Sequence, residues 1–209
     1  MKIGKLLQLS AKEASEFLLP KHYSGRKPQI TKAFGWMIDD QLVAVCTFGK
    51  PASHSLCIGV CGIEYEPNVY ELNRLCRIEA LTEPLSMFVG ACLKELQKEN
   101  WIIVSYSDTA MNHHGYIYQA SNFIYTGMTK QRTDKYTGEK HARHYDKYAV
   151  GVYRQIRSSK HRYIYFCTND KGLKRKWCEQ LKYPILPYPK GQNENYVLGD
   201  YIKPQIVKG

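Results

Sequence analysis

Apolar residues recur along this chain in two rhythms, one of two residues and one of about 3.6, and the switches between them lay out alternating strands and helices. Lys2–Leu9 reads as a strand. Ser10-Ala11-Lys12-Glu13 is a capping box, in which the Ser hydroxyl accepts from an early helix N–H and Glu reaches back to the start. It opens a helix expected to run to about Leu19 and to stop at Pro20. His22-Tyr23-Ser24-Gly25 is loop-like. Ala33–Ile38 and Leu42–Phe48 flank Asp39-Asp40-Gln41, a three-residue hairpin connection. Ser55–Ile63 fits a strand or a Gly/Cys-rich loop.

Tyr70–Ala80 alternates as a strand that places Leu72, Arg74, Cys76 and Ile78 on one face. Thr82-Glu83-Pro84 marks a helix start, with Thr82 as N-cap and proline in the first turn. Leu85, Phe88, Val89, Cys92, Leu93 and Leu96 then follow at helical spacing through about Lys98. Trp101–Tyr106 is a buried strand, Gly115–Asn122 a short helix, and Phe123–Thr129 a strand joined by a Lys/Arg-rich loop to an antiparallel partner, Tyr145–Tyr153. This order predicts a mixed α/β sheet with a right-handed crossover, flanked by helices. Beyond it come a strand at Arg162–Cys167, a basic helix at Lys171–Leu181, and Tyr183–Lys190, whose three prolines require an extended run. The expected layout is a domain over residues 1–153 and a basic, Tyr/Pro-rich C-terminal extension over 154–209 packing on it.

Composition narrows the class. Hydrophobic residues make up 44% of the 209, enough for a core. The longest apolar runs, such as Leu42–Val45, fall far short of the roughly 20 residues of a membrane span, and the start lacks the apolar stretch of a secretory signal. The cysteines number seven and include no Cys-x-x-Cys pair, which predicts a reducing cytoplasm; Cys57 and Cys61 lack a second pair to complete a zinc set. The net charge of +11 is unevenly placed: residues 1–129 hold 12 basic and 12 acidic side chains, and residues 130–209 hold 18 and 7. Ten of the 17 tyrosines also lie after residue 129. Cations interleaved with rings suit a polyanion with stackable bases, so Lys130, Arg132, Arg143, Arg162, Lys174, Arg175, Lys176 and Lys190 are candidate DNA contacts. A solubilising tail or a patch for acidic proteins is the plainer alternative.

Three constellations could carry chemistry. The start of the helix after Thr82, with Ser86, offers N–H groups and a positive dipole end to a pyrophosphate. Ser105-Tyr106-Ser107-Asp108, followed by Met111-Asn112-His113-His114, sits at the carboxyl end of a buried strand, where crevices open in α/β sheets. Third, Tyr118, Asn122 and Phe123 resemble the Tyr-x-x-x-Gly-Phe segment of GNAT acyltransferases, with Asn in place of Gly. In that family the tyrosine often protonates the departing coenzyme A thiolate.

His22-Tyr23-Ser24-Gly25, Glu71-Leu72-Asn73-Arg74-Leu75, Ser105–Asp108 and Gly115–Asn122 together, with Lys160–Tyr163 and Tyr183–Lys190, resemble the Mom-type DNA-modification proteins of bacteriophages over roughly residues 15–190. The resemblance implies a GNAT-like fold that adds a carbamoylmethyl-type group to N6 of adenine in double-stranded DNA, protecting phage DNA from restriction in the host cytoplasm. It implies acetyl-CoA or a related acyl-CoA as donor, and catalytic roles for His22, Tyr23, Arg74, Ser105, Asp108 and Tyr118. His22 or Asp108 would serve as base, and Tyr118 as acid. Cys76, Ile78, Thr82 and Ser86 would face the cofactor, although the usual Gly-rich phosphate loop is absent between Ile78 and Leu85. Iron has been proposed for the family, with His22, Tyr23, Asp108 and His114 as conceivable ligands. An ordinary N-acyltransferase and a non-catalytic DNA-binding module are the rival readings, and the oligomeric state, a homodimer included, stays open.

Overall fold

The computed structural model describes residues 4–79, 81, 83–136, 153–192 and 205–208. Its centre is a seven-stranded sheet in the order β1-β2-β3-β4-β5-β9-β6. β1 (Lys5–Leu9) leads into α1 (Ala11–Leu18), where Glu13 N–H donates to Ser10 Oγ and Glu13 accepts from Ser10 N–H, completing the capping box. β2 (Lys32–Ile38) and β3 (Gln41–Gly49) form a hairpin whose register pairs Ile38 with Gln41. The connection is therefore two residues, not three, and Asp39 and Asp40 both take positive φ (48° and 58°), matching the twist of the strands.

α2 (His54–Cys61) covers the segment that reads as strand or loop; Ser53 caps it, and Cys57, Val60 and Cys61 are buried. β4 (Val69–Arg77), α3 (Leu85–Leu96) and β5 (Trp101–Asp108) make the crossover unit, with β4 and β5 parallel. The N-cap of α3 is Pro84 and makes no side-chain cap bond; Thr82 and Ala80 lie outside the described residues. α4 (Tyr116–Ala120) leads to β6 (Ile124–Met128). Gly115, at φ +74°, precedes α4, and a Cβ there would stand 2.5 Å from the Tyr163 ring.

The larger departure concerns the C-terminal part. β9 (Lys160–Cys167) lies between β5 and β6, antiparallel to both, so the main sheet draws an interior strand from the segment expected to be an extension. β9 also takes the place beside β6 expected of Tyr145–Tyr153. Residues 145–152 lie outside the described residues, and Tyr153 opens β8 (Tyr153–Arg157) in a second sheet of order β10-β8-β7, with β7 (Arg132–Tyr136) and β10 (Ile206–Lys208).

The main sheet is packed on both faces. α3 and α4 cover one, burying Phe88, Cys92 and Leu96 against Phe34, Phe48, Leu72 and Ile103. On the other, α1 packs over Val45 and Cys76, while α2 and α5 (Lys171–Gln180) enclose Ile102, Val104, Phe166 and Trp177. After α5, residues 183–190 run extended along β6, where Leu186 N–H donates to the Tyr125 carbonyl and Tyr188 Oη to that of Phe123.

Candidate active site

A wedge in the sheet creates the site. β4 and β5 pair only from Val69–Leu72 to Ile102–Ser105. Beyond that point β4 follows β3 and β5 follows β9, and a cleft of about 1400 Å³ opens between them. The β3–β4 register slips between Thr47 and Phe48: Phe48 faces Leu72 while Thr47 faces Arg74, leaving Asn73 as a bulge. The bulge is held by Thr47 Oγ1 donating to Asn73 Oδ1 (2.6 Å) and Asn73 Nδ2 donating to the Gln29 carbonyl (2.8 Å). It reverses the alternation, so Leu72 faces the α3 side while Arg74 and Cys76 face the α1 side with Glu71. The strand does not keep Leu72 and Arg74 on one face as a strict period of two predicts.

Glu71 is the group that the motif reading passed over. Its carboxyl lines the cleft, and burial pushes its pKa up, opposed by the charges of Arg74 and Lys160. Arg74 is likewise desolvated; its Nη1 donates to the Asn73 carbonyl (2.6 Å) and Nη2 to that of Arg26 (3.4 Å), while Nε is buried without a hydrogen-bond partner among the described residues. Glu71 opens one of the segments that carry the family resemblance, but as a single polar residue in a half-buried strand it receives no role there.

His22 and Tyr23 stack at 4.4 Å beside these groups, and Tyr23 meets the His113 ring edge-on. Ser24 N–H donates to His22 Nδ1 (3.1 Å), which places the proton of the neutral ring on Nε2. Burial, then the charges of Arg74, Lys160 and His113, push the His22 pKa down to about 3. Burial and the Asp108 charge push the Tyr23 hydroxyl up to about 12, against the pull of Arg74. Tyr106 is raised as well, by burial first and then by Glu71.

On the α4 side, Tyr118 projects from its short helix toward Ser105. Burial raises its pKa strongly, and a hydrogen bond with Ser105 pulls the other way. Ser105 is fully buried and donates to the Leu72 carbonyl (3.1 Å), joining β5 to β4 at the point where they part. The cleft therefore holds a carboxyl on one side and a protonated phenol on the other.

Asp108, at the end of β5, stands across from Lys160 of β9. Its carboxylate accepts from Ala110 N–H (3.0 Å) and Ser158 Oγ (2.5 Å) and pairs with Lys160 (2.8 Å). Burial raises its pKa, but those three partners outweigh burial and hold it below the ordinary value. Its lone pairs are thus committed to linking β5 with the start of β9. The iron ligand set does not assemble. Among the described residues no three His, Cys, Asp or Glu side chains gather closely enough to hold a metal ion; Asp108 is committed as described, and Nδ1 of His22 accepts from Ser24.

The cofactor residues fit in part. Cys76 is 2% exposed and packs under α1, so only its backbone can face a ligand. Ile78 donates its N–H to the Val43 carbonyl and its side chain packs into the core, Ser86 is half-buried in the first turn of α3, and Thr82 lies outside the described residues. What does fit an extended thioester arm is backbone: β4 beyond Leu72 has no strand on its β5 side, and α3 starts without a side-chain cap.

Eight Lys and Arg line the cleft against three Asp and Glu. Lys130, Arg132 and Arg162 of the expected DNA contacts are among them, together with Arg157 and Lys160. Arg162 is locked by Thr126, donating to its Oγ1 and carbonyl (both 2.9 Å), and lies 3.4 Å over the Tyr183 ring. Lys174, Arg175 and Lys176 are exposed on α5 and do not line the cleft; Lys190 is exposed on the extended segment, and Arg143 lies outside the described residues.

Parallel strands that part around a bulged β4, with helices on both faces, define the GNAT acetyltransferase fold. The likeness extends to an N-acetyltransferase from Staphylococcus aureus Mu50, 10% identical over 79% of this chain and 99% of that one, with a TM-score of 0.50. Ard1 from Thermoplasma volcanium is 11% identical over 80% and 99%, with a TM-score of 0.47. No curated protein matches. The model of the Mom protein family matches residues 5–190, and the chain belongs to that family.

Proposed function

We propose that this protein transfers the acyl group of an acyl-CoA to N6 of adenine in DNA, shielding that DNA from restriction; a carbamoylmethyl-type product, whose methylene carbon is bonded to N6, requires a further step after that transfer. The observation that carries the reading is the cleft itself: a half-buried carboxyl and a protonated tyrosine face one gap in the sheet, inside a rim dominated by Lys and Arg. Family membership supports the choice of DNA over other acceptors of acyl groups.

Adenine N6 is a poor nucleophile because its lone pair is delocalised into the ring, so a base near its N–H is needed. Glu71 suits this better than His22 or Asp108. Its pKa lies above that of an ordinary carboxyl, whereas the His22 pKa is about 3, its Nδ1 already accepts a bond, and Asp108 is held by three donors. The orphaned Nε–H of Arg74 beside Glu71 offers one donor to the base or to a developing oxyanion. Tyr23 and Tyr106 supply rings on which an extruded base could stack. A coenzyme A thioester along the open side of β4 would supply an activated acyl carbon. Tyr118 keeps its hydroxyl proton at neutral pH and can give it to a leaving thiolate.

The test is mass spectrometry of nucleosides from plasmid DNA isolated after expression of the protein. A heavier deoxyadenosine, modified at N6, is expected. Unmodified deoxyadenosine in cells holding abundant soluble protein would overturn the reading.

A further inference from the structure

Two strands of the main sheet do not stop at its edge. β6 ends at Met128, and three residues later β7 begins; β8 ends at Arg157, and after Ser158 and Ser159 the chain enters β9. The antiparallel pairing of β6 with β9 thus continues into that of β7 with β8, a two-stranded ribbon that β10 widens. Its root is fixed to the mouth of the cleft. Thr129 N–H donates to the Lys160 carbonyl (2.9 Å), Thr109 Oγ1 to that of Ser159 (2.7 Å), and Ser158 Oγ to Asp108 (2.5 Å).

The ribbon's register is electrostatically unfavourable by itself. Arg132 stands directly across from Arg157, and Lys135 across from Arg154. Like charges in opposed positions destabilise a strand pair. Asp134 relieves one of the four, pairing with Arg157 at 3.6 Å, and Arg154 spends its guanidinium on Thr133. Arg132 and Lys135 are exposed, as is Lys130 in the linker. On the face carrying Arg132 and Arg157 the next aligned pair but one is Tyr136 with Tyr153, two rings beyond the cations. Arg132, Gln155, Arg157 and Gln205 also line the cleft, so this surface is continuous with the proposed active site.

We propose that the β7–β8 ribbon is the arm that holds the sugar–phosphate backbone of DNA beside the nucleotide in the cleft, phosphates neutralising the opposed cations. The inference rests on the DNA reading above and gives it a surface. The basic helix α5 does not line the cleft, and its charges are not opposed in pairs across a strand register.

The experiment measures binding of a fluorescent mixed-sequence DNA duplex over a salt series, with the full-length protein. Lys130→Ala/Arg132→Ala is expected to bind about 30-fold more weakly at ~0.15 M salt, with a log–log salt slope shallower by ~1.8, the loss of two phosphate contacts. Lys130→Arg/Arg132→Lys should retain near-normal binding, and Lys174→Ala/Arg175→Ala/Lys176→Ala should change it less than threefold. Unchanged affinity and slope in the first variant, or the larger loss in the α5 variant, would overturn the proposal. Nucleoside analysis separates this from the parent reading: adenine modified normally by a protein whose ribbon variant binds normally refutes the ribbon alone. Ribbon-dependent binding with no modified adenine supports the ribbon and refutes the reaction.

Discussion

In the proposed reaction Glu71 and Tyr118 divide the chemistry between them, and their environments make the division testable. A carboxyl whose folded pKa is raised costs stability above its ordinary value, near 4.5, and the cost is complete once pH exceeds the folded value. Glu71→Gln should therefore melt at a higher temperature than the parent at pH 8, with the difference closing below about pH 4. Activity should fall as pH drops through the raised Glu71 pKa, with no further limb near 6.5, because His22 stays neutral down to about 3. An acid limb that persists unchanged in Glu71→Gln would return the base role to a histidine. Tyr118→Phe should lower turnover by about 10²-fold, the lower end of acid–base contributions, with duplex affinity unchanged; equal losses in both would make Tyr118 a packing residue. Tyr118 was legible from its motif. Glu71 was not, because an isolated acidic residue in a strand looks like any solvent-facing position until the parting of β4 and β5 buries it.

At the scale of elements, alternation and capping predicted most helices and strands, but not how strands turn or meet. The Asn73 bulge changes which face Arg74 occupies, and a bulge leaves no mark in a hydrophobic period beyond one polar residue. The segment of α2 read as a strand or loop rather than a helix, because His54–Cys61 is apolar on nearly every side and such short runs carry no helical period. Asp108, a candidate base by its place at a strand end, also ties β5 to β9 and to the root of the ribbon through Lys160 and Ser158. Asp108→Asn should cost about 1–3 kcal/mol in urea unfolding, since it weakens a nearly buried charge-assisted network around Lys160 and Ser158. A loss of turnover with unchanged stability would instead give Asp108 a chemical role.

For the whole molecule, the charge count placed every excess cation after residue 129, and that arithmetic suggested a catalytic body followed by a separate DNA grip. The fold interleaves the two. β9 carries Lys160 and Arg162 into the main sheet between β5 and the edge strand β6, and the ribbon brings Arg132 and Arg157 to the same cleft. A strand's pattern tells which residues are buried but not which distant strand will flank it, so the pairing of Trp101–Asp108 with Lys160–Cys167 could not be read beforehand. Truncation after residue 153 should accordingly yield insoluble or unfolded protein, seen as loss of the cooperative thermal transition. A soluble, cooperatively melting 1–153 fragment would restore the two-part layout.

The central claim is that a DNA adenine is modified in the cleft around Glu71. Nucleoside mass spectrometry of plasmid DNA from cells expressing either the parent protein or Glu71→Gln tests it directly. The parent should yield an N6-modified deoxyadenosine, and the variant, equally soluble, should yield at least about 10²-fold less. Equal modification by both proteins, or none by the parent, would contradict it.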